Sequence, residues 1–112
     1  MQRPLYQVKA EFFKTLGHPV RIRVLELLGR REHAVSELLP EVGVEAANLS
    51  QQLAVLRRAG LVTTRKEGSA VYYSLTSPRV AELLAVARVI LTEVLTEQVG
   101  LINDLQAPLP PA

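Results

Sequence analysis

Residues 46–75 read AANLSQQLAVLRRAGLVTTRKEGSAVYYSL, and a change of periodicity inside this stretch decides the fold. In its first half Leu49, Leu53 and Leu56 recur at i, i+4 and i+7. That is one stripe of an α-helix over residues 46–59, facing a core and ended by Gly60. In its second half, residues 62–66 and 71–75 are rich in β-branched and aromatic side chains. Glu67-Gly68-Ser69-Ala70 separates them, which predicts a β-hairpin. On a helical wheel with Leu49 at zero, Ala47, Asn48, Gln51, Val55 and Arg58 fall on the far side, flanked by Ser50 and Gln52.

Working towards the N-terminus, Gly43 marks a turn and residues 34–39 a short helix. Pro40 should keep that helix short or distort it, because a proline in a helix interior removes a backbone donor and clashes with the preceding turn. Residues 5–16 place Leu5, Val8, Phe12 and Leu16 at helical spacing. Gly17-His18-Pro19 interrupts them, and Pro19 opens a second helix to a stop at Gly29, with Ile22, Leu25 and Leu28 or their neighbours inward and Arg21 and Arg23 outward. Towards the C-terminus, Pro78 opens a long helix to about residue 105, and residues 107–112, APLPPA, are expected to be a disordered tail. The long helix carries Leu83, Ala87, Ile90, Leu91 and Val94 in an apolar stripe wider than one small domain can cover; a second subunit would cover it. Residues 1–106 are expected to form a single domain, mainly α with a small β-hairpin.

Helix, turn, helix and hairpin in this order make a winged helix-turn-helix, whose second helix fits the DNA major groove. Charge agrees with that reading. Residues 46–76 carry Arg57, Arg58, Arg65 and Lys66 against Glu67 alone, a net +3, whereas residues 77–112 carry −2. A polyanion is attracted to the first segment and repelled by the second. Asn and Gln side chains suit paired hydrogen bonds to adenine, and Arg58 suits phosphate or guanine. Arg57, Arg65 and Lys66 suit phosphate contacts that position without specifying.

Two stretches, FFKTLGHPVRIRVLELL (12–28) and VSELLPEVGVEAANLSQQLAVLRRAGLVTTRKEGSAVYYSL (35–75), resemble the ArsR/SmtB family of bacterial repressors. The likeness covers residues 8–75 and is most specific at His18-Pro19-x-Arg21, at LSQQLAVLRRAGLV and at RKEGSAVYYSL. It implies a homodimer built on the first and last helices (here Leu5, Val8, Phe12, Leu83, Ala87, Ile90, Leu91 and Val94) and repression relieved by an inducer. It also implies an imperfectly palindromic double-stranded operator, read at Ala46, Ala47, Asn48, Ser50 and Gln51 with Gln52 beside them, and phosphate contacts from a wing that includes Ser69.

The departures from the family are informative. Its cysteine pair falls here on Ala34 and Ser36, which offer no soft ligand. Its zinc ligands on the last helix have no histidine to match; Glu82, Glu93 and Glu97 read as ordinary helix-surface residues, so no metal and no cofactor are expected. Ala46 and Ala47 offer methyl contacts only, which leaves base reading to Asn48, Ser50 and Gln51. Ser69 stands where the wing tip is often basic. His18 is expected to bond a neighbouring backbone group, and His33 to lie in an exposed turn.

The chain has 112 residues and no cysteine, which excludes disulfides and thiolate chemistry. Two separated histidines and no glycine-rich phosphate loop assemble no catalytic constellation, so an enzyme is not expected. No apolar run reaches the roughly 18 to 20 residues that span a bilayer, and MQRPLYQVKAEFF lacks the apolar core of a signal peptide. No membrane partner is therefore expected, and the expected location is cytoplasmic. The competing reading is a winged-helix protein-interaction module without DNA binding, and any small-molecule or protein effector stays unspecified.

Overall fold

The computed structural model describes residues 3–106. Five helices and a three-stranded antiparallel sheet appear among them: α1 Leu5–Leu16, α2 Pro19–Leu28, β1 His33–Ala34, α3 Val35–Val42, α4 Ala46–Arg58, β2 Val62–Glu67, β3 Ala70–Leu75 and α5 Pro78–Gln106. The tail expected at 107–112 lies outside the described residues. The described chain forms two units, residues 3–81 and residues 82–106, the second being the body of α5.

Local chemistry sets most boundaries in the first unit. His18 is extended, at φ −139° and ψ 125°, and its Nδ1 accepts from the Val20 amide at 3.2 Å, capping α2. Pro19 takes the first helical position, where its missing N–H costs no bond. At the start of α3 the Glu37 carboxylate accepts the Ala34 amide at 2.9 Å, the reach-back half of a capping box. Helix α3 is short, as Pro40 demands, yet continues through it to Val42 and ends at left-handed Gly43, φ +75°. Ser77 Oγ accepts from the Arg79 amide at 3.1 Å and caps α5.

The core of this unit is aliphatic. Val24, Leu25, Leu38, Leu49 and Leu56 are fully buried, with Leu27 and Leu53 nearly so. Each such side chain stabilises by about 1.5–3 kcal/mol. Differences in helix propensity amount to about 0.7 kcal/mol at most for ordinary residues. Burial of the leucine stripe, not propensity, therefore decides which face of α4 turns outward.

The sheet has the order β1-β3-β2. β2 and β3 form the hairpin, paired from Val62–Leu75 to Glu67–Ala70, with Gly68 at φ +62° in its turn. β1 adds His33 opposite Tyr73 and Ala34 opposite Tyr72, which ties the hairpin to the start of α3. His33 therefore does not lie in an exposed turn. Pairing with β3 leaves it 5 % exposed, with its Nδ1 2.9 Å from the Arg31 carbonyl oxygen.

Candidate nucleic-acid interface

The inward leucines of α4 leave Ala46, Ala47, Asn48, Ser50, Gln51, Arg57 and Arg58 exposed; the wheel anticipates Ala47, Asn48, Ser50, Gln51 and Arg58 among them, whereas Val55, which it puts on the far side, is half-buried. Arg57 and Arg58 occupy its last turn, where cations complement the helix dipole. Gln52 differs. It is only 7 % exposed, so it is turned into the domain and unavailable as an outward base contact. At about 100° per residue it stands roughly 60° from Leu49, closer to the apolar stripe than to the far face, and the wheel contained that signal.

Gln52 is held by two hydrogen bonds. Arg21 donates from Nε to Gln52 Oε1 at 2.8 Å and from Nη1 to the Thr15 carbonyl at 2.9 Å. Gln52 Nε2 in turn donates to Asn48 Oδ1 at 3.1 Å. Arg21, expected outward, is thus only partly exposed and joins the end of α1 to α4. Sequence spacing carried no sign of this pairing across 31 residues.

On the hairpin, Lys66 and Ser69 are exposed. Arg65 is more constrained than its sequence context suggests. Its Nη2 lies 2.6 Å from Glu32 Oε1, its Nε reaches both Glu32 oxygens at 3.1–3.2 Å, and its Nη1 meets Glu67 at 2.7 Å. Its guanidinium also covers the Tyr72 ring at 4.5 Å from the centroid. Ser74 donates to the other side of Glu32 at 3.3 Å. The Arg65 hydrogen bonds hold the Glu32 carboxyl below its ordinary range, and Glu32 and Glu67 raise Arg65 in return. The Arg65 guanidinium is therefore already held by two carboxylates, those of Glu32 and Glu67.

The residues expected at a subunit interface fall on both terminal helices. Leu5 and Val8 of α1 are exposed; Phe12 is half-buried, and the neighbouring Phe13 is exposed, its ring edge-on at 5.5 Å. On α5, Ile90, Leu91 and Val94 are exposed, Ile90 at 53 %, while Leu83 and Ala87 are intermediate. The exposed apolar series continues through Leu95, Val99, Leu101, Ile102 and Leu105.

The residues do not fit a metal at the positions the family likeness points to. Ala34 is a buried methyl in β1, and Ser36 is an exposed hydroxyl on α3. Among the described residues no three His, Cys, Asp or Glu side chains come together to hold an ion. No helix among them is long and apolar enough to cross a membrane.

A family model described as a helix-turn-helix domain matches residues 16–65, from the end of α1 into β2. The HTH-type transcriptional regulator Rv0081 of Mycobacterium tuberculosis is 59 % identical over 105 residues, 93 % of this chain and 92 % of that protein. Its crystal structure superposes with a TM-score of 0.80 over 88 % of this chain and 99 % of its own, at 60 % identity. A biofilm growth-associated repressor of Xylella fastidiosa is 41 % identical over 67 % of this chain and 66 % of its own length. The homodimeric winged helix-turn-helix DNA-binding domain of Mb0332 from Mycobacterium bovis shows a TM-score of 0.73 at 32 % identity, over 83 % of this chain and 86 % of its own. With the hairpin wing packed after a helix-turn-helix and relatives matching nearly its whole length, the chain belongs to the ArsR-type family of winged helix-turn-helix transcriptional regulators.

Proposed function

We propose that this regulator is a homodimeric repressor that reads operator DNA with the outer face of α4 and does not respond to metal ions. One observation carries the reading: the core leucines hold α4 with Asn48, Ser50 and Gln51 outward, and exposed cations stand in its last turn and on the hairpin. Base edges would meet Asn48, Ser50 and Gln51, with the Ala46 and Ala47 methyls against thymine. Arg57, Arg58, Lys66 and, once freed from its carboxylates, Arg65 would meet phosphates, with Ser69 at the wing tip adding a neutral hydroxyl.

The division of labour is that α4 and the hairpin read DNA, while apolar residues of α5 and Leu5, Val8 and Phe12 of α1 join two copies. In a two-fold dimer the reading helices enter successive major grooves about 34–36 Å apart. Repression follows from covering promoter DNA, including the regulator's own promoter and neighbouring ones. The Xylella relative is named a repressor and the Mycobacterium bovis domain is described as a homodimer; both support this assignment.

The test is binding of the purified protein to genomic fragments at low and raised salt, with zinc or with a chelator. Selective binding that weakens steeply with salt and ignores zinc is expected, because phosphate contacts release counterions. Gln51→Ala should flatten the preference at one base pair per half-site. A zinc response would refute the metal-free reading. Absence of selectivity at any salt would instead favour a protein-interaction module.

A further inference from the structure

Arginine has donors and no acceptor, so the oxygen of any amide beside it must face the guanidinium. That rule sets the direction of the whole Arg21–Gln52–Asn48 chain. Gln52 turns Oε1 to Arg21, which leaves Nε2 for Asn48, and Asn48 must answer with Oδ1. Arg21 cannot easily swing away, because its Nη1 satisfies the Thr15 carbonyl in the last turn of α1, where carbonyls lack helical partners. Gln52 is buried, so water does not readily replace either bond. Asn48 itself is exposed on the outer face of α4. Its amide is therefore not free to choose between donor and acceptor: the oxygen is drawn back towards the domain, and the Nδ2 hydrogens are left for a partner outside.

We propose that Gln52 and Arg21, which lie beneath the outer surface, set the base preference of Asn48 by fixing its amide with the nitrogen outward. The operator should then offer Asn48 a hydrogen-bond acceptor, guanine N7 or O6, adenine N7 or thymine O4, in preference to the cytosine N4 or adenine N6 donor. Paired recognition of adenine, which needs amide oxygen and nitrogen together, is weakened because the oxygen is already engaged. The inference rests on the reading of α4 as the DNA-facing helix. Gln52 and Arg21 act here as positioning residues that touch no DNA atom.

Two measurements test it. The first needs no DNA: in isotope-labelled protein, the Gln52 side-chain amide protons should exchange slowly with water and those of Asn48 rapidly. The opposite pattern would overturn the proposed direction of the chain. The second ranks operator variants, substituted at each base pair, against wild type, Asn48→Ala, Gln52→Leu and Gln52→Glu, each checked for folding by circular dichroism.

The base pair whose preference disappears in Asn48→Ala should also lose it in Gln52→Leu. In Gln52→Glu the preference should invert. The new carboxylate accepts from Arg21 and from Asn48 Nδ2, the Asn48 amide turns over, and its outward oxygen favours cytosine N4 or adenine N6. A swing on the order of tenfold at that position, with other positions unmoved, is the expected size. A role in folding alone would lower affinity for every variant alike. Normal selectivity in wild type with the Asn48 position unmoved in both Gln52 variants overturns the assignment to Gln52. No selectivity in wild type overturns the reading of α4 and the base preference with it, while the exchange experiment still reports on the amide chain.

Discussion

Arg65 meets two carboxylates before it meets any ligand, and Glu32 is the stronger partner, binding both Nε and Nη2. Replacing Glu32 with Gln should free the guanidinium and tighten DNA binding several-fold at low salt, as read by fluorescence anisotropy. The gain should shrink when Arg65→Ala is combined with it; an equal gain in both backgrounds would mean that Glu32 acts only as a general negative charge. The effect of pH has a defined sign. The Glu32 carboxyl is depressed by the Arg65 hydrogen bonds, so its stabilising contribution is complete above the ordinary unfolded value of about 4.3 and is lost as pH falls through the lower folded value. Between neutrality and mild acid the clamp should hold, and a titration of Glu32 by carboxyl NMR should show no release there. Glu37 is lowered in the same direction, first by the Ala34 amide and then by Arg31, so the start of α3 should survive the same range.

At the scale of elements, the hairpin depends on one backbone conformation. Gly68 sits at φ +62° with open space where a Cβ would go, so Gly68→Ala meets no steric obstacle and its cost is backbone strain alone. A loss of about 1 kcal/mol is expected, measured as a shift in thermal unfolding. Gly29 differs, since a Cβ there would come within 3.1 Å of Ala81 Cβ. The long elements were legible in the sequence because each carries many consistent signals: leucine periodicity for α4, proline starts for α2 and α5, and β-branched runs around Gly68 for the hairpin. β1 was not, since two residues have no periodicity and exist as a strand only by pairing with β3. The same pairing explains why His33 was misplaced. Most outward residues of α4 were legible from the wheel, whereas Arg21 and Glu32, the distant partners of Gln52 and Arg65, lie 31 and 33 residues away and depend on tertiary packing.

At the scale of the whole molecule, the long exposed apolar series of α5 carries the expectation of self-association. Ile90→Glu should reduce the light-scattering mass from two chains towards one, and an unchanged mass would remove Ile90 from the interface. Charge separates in the same sense: the cations that would meet DNA lie within residues 46–76, and the last segment is net negative. The amide chain that runs from Arg21 through Gln52 to Asn48 bears on lineages as well. A regulator whose outward residues were unchanged would read a different operator after a single substitution at the buried position 52. Descendants of one ancestor can therefore diverge in their targets through a position hidden from solvent, and matching the visible faces of two relatives is not enough to conclude that they share a regulon.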